Sequence, residues 1–452
     1  MTLKRVLVAN RGEIAVRVIR ACRALGLETV AVYSEADRGA LHTRLADRAV
    51  CVGPPPSAAS YLNVPSILAT ALGTGCDAVH PGYGFLAENA AFATACQEQG
   101  LRFVGPPPDA IRLMGNKLEA RRLAARLGVP VVAGSPGPVR SVDDAASLGY
   151  PLLLKASAGG GGRGMRLVRS AAELGPQIER ASAEARAAFG DGTLYAERYL
   201  EQVRHVEVQV LADARGGIVH LGERDCSLQR RHQKILEEAP SPAVRPSLRR
   251  ALTEAALDLA RAVEYQGAGT VEFVLDPATE RFYFIEMNTR IQVEHPVTEM
   301  ITGLDLVGLQ LRLAGGEPLP LGQADVRVAG HAIECRINAE APEEGFRPCP
   351  GTVTVWVPPV RDGVRVDTHI EPGAVVSPFY DSLLAKVVAH GADRAGAIAR
   401  LRDALAAFQV EGVSTTVGFS RRIVDHPDFV TARVHTRWVE EELARPAVTS
   451  AR

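Results

Sequence analysis

Thr270-Val-Glu272-Phe-Val-Leu-Asp276 alternates apolar and polar residues like a half-buried strand, and so does Phe282-Tyr-Phe-Ile-Glu286-Met-Asn288-Thr-Arg290. The intervening Pro277-Ala-Thr-Glu-Arg281 has the length of a hairpin loop. Pairing Leu275 with Tyr283 and Phe273 with Ile285 on the apolar face sets Glu272 directly opposite Glu286 on the other. Two cross-strand carboxylates with Cβ atoms about 5 Å apart repel by roughly 3 kcal/mol at an effective dielectric of about 20. A sheet that builds this arrangement needs a divalent cation between the charges. Asn288 and Arg290 continue the same face, adding an amide ligand and then a fixed cation. The stretch reads as a metal–phosphate site along one edge of a hairpin.

Around this hairpin the chain runs to 452 residues, enough for about three domains. With 46% apolar residues, 23% charged residues and a formal net charge of −1, its composition is that of an ordinary globular protein. That balance argues against nucleic acid or an anionic membrane as the main partner. No apolar run approaches the roughly 18 residues of a membrane span, and the N-terminal apolar stretch is too short for a signal peptide. Seven scattered cysteines without a Cys-x-x-Cys pair read as reduced thiols of a cytoplasmic protein, Cys226 as a packed one. Of 51 Lys and Arg, only Lys4, Lys117, Lys155, Lys234 and Lys386 are lysine. A chain that otherwise uses arginine keeps lysine where a compact ammonium is needed.

Residues 1 to about 114 alternate strand and helix, with strands at 5–9, 29–33, 78–80 and 101–104 and helices at 13–24 and 88–99. This is an open, Rossmann-like α/β sheet, but its first turn lacks Gly-x-Gly-x-x-Gly, which argues against a dinucleotide. Pro106-Pro-Pro108 marks a linker. A smaller unit follows to about 200, with helix 117–127, strand 151–155, helix 170–189 and strand 193–198. A larger α/β region then carries the hairpin. Pro318-Leu-Pro320 is the next boundary, and 330–440 mixes β-rich and helical segments.

Three further motifs carry chemistry. Leu152-Leu-Leu-Lys155 runs into Gly159-Gly-Gly-Gly162-Arg-Gly164, and five glycines in six residues suit close backbone approach to phosphate, with Lys155 as a point charge. A flexible linker is the alternative; the Walker pattern is absent. His205-Val-Glu207-Val-Gln209 reads as an amphipathic edge strand with Glu207 and Gln209 structural, and His205 is open to either reading. Gln229-Arg-Arg-His232-Gln-Lys234 follows a strand ending near Asp225 and reads as a solvated or RNA-binding run, or as a pocket that concentrates anions. Neutral overall charge and missing aromatic interleaving favour the pocket.

Asn10-Arg-Gly-Glu-Ile, His80-Pro-Gly-Tyr-Gly-Phe-Leu-Ala-Glu-Asn89, Lys155 to Met165, Arg224 to Lys234, Phe284 to His295 and His331 to Glu340 together resemble biotin carboxylase, in order and over essentially the whole chain. The resemblance implies an ATP-grasp fold (α/β and α+β) in three parts. These are an N-terminal, pre-ATP-grasp domain at 1–114, an ATP-grasp domain at 115–318 with a mobile lid near 130–202, and a C-terminal biotin carboxylase domain at 330–440. It implies ATP-dependent carboxylation of biotin by bicarbonate. Carried over by motif, Lys117, Lys155, Gly161 and Gly162 hold ATP phosphates. Glu197, Arg198, Tyr199 and Leu200 line the adenine, with His205, Gln229 and His232 also at the nucleotide. Glu272, Glu286 and Asn288 carry Mg²⁺ or Mn²⁺. Lys234, Arg290, Gln292, Val293 and Glu294 surround bicarbonate, with Glu294 as general base and Arg290 stabilising negative charge on biotin. Arg336 and Tyr83 lie at biotin. Ala158 and Arg198 depart from the family pattern, which usually has Gly and Lys there.

For Glu294 the rival expectation is a purely structural ion pair with Arg290. No Ala-Met-Lys-Met motif is present, so biotin is expected on a separate biotin carboxyl carrier protein, with carboxyltransferase subunits as further partners and a homodimer as the assembly. The rival functions are the biotin carboxylase component of another acyl-CoA carboxylase, another carboxyphosphate- or acylphosphate-forming ligase, a kinase and a nucleotide sensor.

Overall fold

The computed structural model describes residues 3–158 and 164–444. Gly161 and Gly162 therefore lie outside the described residues. At the N-terminus, β1 (Arg5–Val8), β2 (Glu28–Ser34), β3 (Arg48–Gly53), β4 (Ala78–His80) and β5 (Arg102–Phe103) pair in parallel in the order β3-β2-β1-β4-β5. Val6, Leu7 and Val8 are all fully buried, as strands covered on both faces require. Of the expected proline linker, Pro106 and Pro107 lie in the loop after β5, but the third proline starts a helix. Pro108 is the first residue of helix Pro108–Gly115, where its fixed φ fits and its missing N–H would have had no partner.

The smaller unit is an antiparallel sheet of β6 (Leu152–Ala156), β7 (Arg166–Val168) and β8 (Leu194–Arg198), ordered β7-β6-β8. Leu152, Leu154 and Val168 pack on Leu174, Ile178 and Ala181 of helix Ala171–Phe189, a core separate from its neighbours.

The largest sheet has eight strands. β9 (Arg204–Ala212), β10 (Ile218–Arg230), β11 (Gln233–Ala239), β12 (Gly267–Asp276), β13 (Arg281–Asn288) and β14 (His331–Asn338) run in the order β13-β12-β9-β10-β11-β14, followed by strands Leu383–Gly391 and Val364–Thr368. Because β11 pairs with β14, hydrogen bonding is continuous across the boundary expected near 318–330.

Two expectations fail here. β9 is not an edge strand; it lies between β12 and β10 with all nine residues buried. The segment expected to end near Asp225 continues as strand to Arg230, and Arg231 and His232, at φ 48° and 65°, turn the chain into β11.

The hairpin register is right where it matters and wrong beyond. Glu272 pairs with Glu286 and Thr270 with Asn288, but Phe273 pairs with Phe284 and Leu275 with Phe282. A bulge at Ile285 accounts for the slip. Phe284 and Met287 are both buried in one core although three residues apart, which strict alternation forbids. The bulge admits both. It also sets Phe273 edge-on to Phe282 and Phe284, with ring centroids 5.4 and 6.4 Å away.

Candidate active site

The register sets Glu286, Glu272, Glu207 and Arg224 side by side on four successive strands. The expected pair of carboxylates is thus a row of three, repelling by roughly 3 kcal/mol per adjacent pair at about 5 Å. Cations hold the row together. Lys117, the first residue of helix Lys117–Arg126, donates to Glu286. The Lys234 ammonium donates to Glu207 and Glu294 at 2.6 Å each and to Glu272 at 3.1 Å. Arg224 is fully buried and uses its planar fork five ways: to Glu207 at 2.6 Å, Gln209 and Gln292 at 2.7 Å, Thr298 at 3.0 Å and Thr270 at 3.1 Å. His205 Nε2 stands 3.4 Å from Glu207 and from Glu272.

Glu207 and Gln209, read as structural surface groups, are therefore part of the site floor. The signal that could have found them is Arg224, a cation in mid-strand that needs buried acceptors.

The electrostatics follow from this packing. Burial works against charge on Lys234, but Glu207, Glu272 and Glu294 raise its pKa well above the ordinary value. Burial pushes Glu294 up, and Lys234, Arg336 and Arg224 together more than offset it, holding the carboxylate below 4.5. Glu272 is lowered likewise by Lys234 and His205. Burial opposes charge on His205, yet Glu272 brings it up to about 9. At neutral pH Lys234, His205, Glu272 and Glu294 are therefore all charged.

Around the row, the expected residues fall into groups. Lys155 pairs with Glu197, which also accepts from Arg121. The backbone N–H of Lys117 donates to the carbonyl of Ser157 at 2.9 Å, just past β6, so the smaller unit abuts the row at Lys117. Arg198 is exposed, and Tyr199 and Leu200 are half-buried. Gln229 is buried on β10 opposite Lys234, and His232 is exposed at the turn.

Gln292 donates to Glu272 at 2.8 Å. Glu294 sits at the N-cap position of helix His295–Thr302 without a side-chain cap bond, and its carboxylate accepts from Arg336 at 3.0 Å as well as from Lys234. Arg336 also donates to Glu237 at 2.6 Å. The structural alternative for Glu294 fails, because Arg290 turns instead to Glu88 and to Asn288 Oδ1, both at 2.9 Å. Tyr83 donates to Glu13. Its loop is set by Asn10, whose amide donates to the carbonyls of Pro81 and Tyr83 at 2.7 Å. Gly82, at φ 64°, leaves room for that amide, which a Cβ would meet at 2.8 Å.

The metal expectation can be tested against these donors. Glu272 and Glu286 offer hard oxygen ligands on one face of adjacent strands, which suits Mg²⁺ or Mn²⁺. Asn288 lies on the same face, its buried Nδ2 without a partner among the described residues. Among the described residues, the donor atoms drawn within 4.8 Å of one another form two different sets, His205, Glu207 and Glu272, and Glu207, Cys226 and Glu294. Cys226 is buried and its thiol pKa is pushed well above the ordinary value by burial, so it stays a packed thiol. Among the described residues no helix is long and apolar enough to cross a membrane.

Three family models match the chain: the biotin carboxylase N-terminal domain over 2–111, the carbamoyl-phosphate synthase L chain ATP-binding domain over 116–322 and the biotin carboxylase C-terminal domain over 334–441. Biotin carboxylase 1 of Bacillus subtilis is 54% identical over 97% of this chain and 98% of its own. The crystal structure of a Campylobacter jejuni biotin carboxylase–βγ-ATP complex superposes with a TM-score of 0.95 at 43% identity, covering 97% of this chain and 99% of that one. The biotin carboxylase domain dimer of Hydrogenobacter thermophilus 2-oxoglutarate carboxylase, in complex with MgADP, ADP and bicarbonate, also gives 0.95, at 47% identity over 98% of each chain. The chain belongs to the biotin carboxylase family.

Proposed function

We propose that this protein carboxylates biotin with bicarbonate and ATP, as a ligase, with biotin presented on a separate carrier protein in the first half-reaction of acetyl-CoA carboxylase. The observation that carries the reading is the Lys234 ammonium between Glu207, Glu272 and Glu294, with Arg336 on the far oxygen of Glu294. A base poised between two cations, beside carboxylates suited to a metal, fits a reaction in which two anions must meet.

Lys117 and Lys155 bring positive charge to the triphosphate, with Glu197 to Leu200, His205, Gln229 and His232 at the nucleotide. Glu272, Glu286 and Asn288 would hold Mg²⁺ or Mn²⁺, which when bound neutralises phosphate charge. We assign 130–202 to a lid that closes on ATP, within domains 1–114, 115–318 and 330–440. Lys234, Arg290, Gln292 and Val293 hold bicarbonate, and Glu294 takes its proton as its oxygen attacks the γ-phosphorus and ADP leaves. When bicarbonate engages the Lys234 ammonium, Glu294 loses its closest counter-charge and its basicity rises. Carboxyphosphate then yields CO₂ and phosphate, and phosphate accepts the biotin N1′ proton. Arg290 stabilises the resulting ureido oxyanion, with Arg336 and Tyr83 at biotin, and the N1′ nitrogen attacks CO₂.

The protein is assigned to the cytoplasm as a homodimer working with a biotin carboxyl carrier protein and carboxyltransferase subunits. Similarity to the 2-oxoglutarate carboxylase domain favours a second reading, service to a different carboxyltransferase. Bicarbonate-dependent ATP hydrolysis that rises when free biotin is added tests the reaction; hydrolysis indifferent to biotin would reassign the site to another carboxyphosphate-forming ligase.

A further inference from the structure

Lys386 is a fully buried lysine with no part in the chemistry above. It lies directly opposite Arg336 on the neighbouring strand Leu383–Gly391. Its ammonium donates to the backbone carbonyl of Val293 at 2.9 Å, while Arg336 donates to the carboxylate of Glu294 at 3.0 Å. Two cross-strand neighbours thus grip the same short turn, one by its peptide and the other by its side chain. The remaining partners of Lys386 come from other elements. Glu13 of helix Gly12–Ala24 is at 3.1 Å and Asp367 of strand Val364–Thr368 at 3.9 Å. Glu13 in turn accepts from the Tyr83 hydroxyl. Lys386 is therefore where the N-terminal sheet unit, the Gln292–Glu294 turn and the C-terminal strands meet.

A buried ammonium is costly, and a buried position with no more to do than fill space would use an apolar side chain of like volume. Arginine, which this chain prefers elsewhere, could not aim one compact charge at a single carbonyl and a single carboxylate in so enclosed a place.

We propose that Lys386 is a positioning residue for the proton-accepting Glu294: through the Val293 carbonyl it fixes the turn so that Glu294 meets Lys234 and Arg336, and Glu13 supplies the counter-charge that keeps Lys386 in place. The proposal rests on the reading of Glu294 as the base. A displacement of that carboxylate by about 1 Å is enough to cost about 10²-fold in rate.

The test uses the pair Glu13→Gln with Lys386→Met, which removes both charges together and so avoids leaving an unpaired buried carboxylate. Biotin-stimulated, bicarbonate-dependent ATP hydrolysis is measured for this pair, for Glu294→Gln, and for all three changes combined. The expected result is a kcat loss of about 10²-fold for the pair with KM for ATP within about twofold. In the Glu294→Gln background the same pair should cost less than about threefold, because both act through one step. Losses that multiply in full, a pair with near-normal kcat, or a pair that fails to fold would each assign Lys386 to the fold alone and overturn the proposal. A fully active Glu294→Gln enzyme is a different failure, since it removes the base assignment itself and the proposal with it.

Discussion

Glu294→Gln is the substitution with the sharpest expected outcome. It keeps the side chain's shape while deleting the charge that Lys234 and Arg336 hold at 2.6 and 3.0 Å. Charge-assisted hydrogen bonds of this kind are worth about 1.5–3 kcal/mol each, but a buried carboxylate also carries a desolvation cost that glutamine relieves. The net loss of stability in urea is therefore expected to stay under about 3 kcal/mol. Catalysis should suffer more. Removing a general base costs about 10²–10⁴ in kcat, or roughly 2.7–5.5 kcal/mol of barrier. Binding of ATP, measured by direct titration, should change little, because Glu294 sits at the end of the row proposed for bicarbonate. The pH profile adds a second check. Burial raises Glu294, but the cations, Lys234 foremost, hold it below 4.5, so it is already ionised at neutrality. Between pH 6 and 8 the wild-type and variant curves of kcat/KM for bicarbonate should run parallel. A variant within about threefold of wild-type kcat, or one whose loss is matched by an equal loss in ATP affinity, would refute the reasoning.

Other substitutions probe other parts. Arg290→Ala should lose about 10²–10³ in biotin-dependent turnover with ATP binding intact, and near-normal carboxylation would remove its role. Glu286→Gln should raise the Mg²⁺ concentration needed for half-maximal ATP hydrolysis; an unchanged Mg²⁺ titration would take Glu286 out of the metal set. Glu334, opposite Glu237 in the sheet, is fully buried with neither oxygen partnered among the described residues, and burial raises its pKa well above 4.5. The folded chain thus keeps a proton that the unfolded chain releases above pH 4.5, so wild-type stability falls as pH climbs past that value. Glu334→Gln carries no such penalty. Its stability relative to wild type, from urea unfolding, should rise between pH 5.5 and 8 by up to about 1.4 kcal/mol per unit, and a flat difference would show Glu334 ionised in the fold.

The carboxylate pair was legible because alternation in two adjacent segments leaves few ways to face Glu272 and Glu286. The bulge at Ile285 was not legible. Tyr283, Ile285 and Met287 keep one strict alternation, and only the packing of the Phe282 and Phe284 rings against Phe273 breaks it. Glu207 and Gln209 were misread for a different reason. An alternating strand looks the same at a sheet edge, where water solvates its polar face, and at the centre, where Arg224 and Lys234 do. Pairing order is a long-range property that no local pattern encodes. Lys386 was visible as one of five lysines, but its role depends on a cross-strand neighbour and on a carbonyl 93 residues away. The proline run was misread only at Pro108, because proline at a helix start and proline in a linker share the same local signature.

The most direct test incubates the purified chain with MgATP, free biotin and isotopically labelled bicarbonate, and follows label and ADP together. The expected result is label on biotin only when ATP is present, appearing no faster than ADP and lost in Glu294→Gln. ATP consumption with biotin left unlabelled, or label retained in a phosphorylated end product, would contradict the assignment of this site to biotin carboxylation.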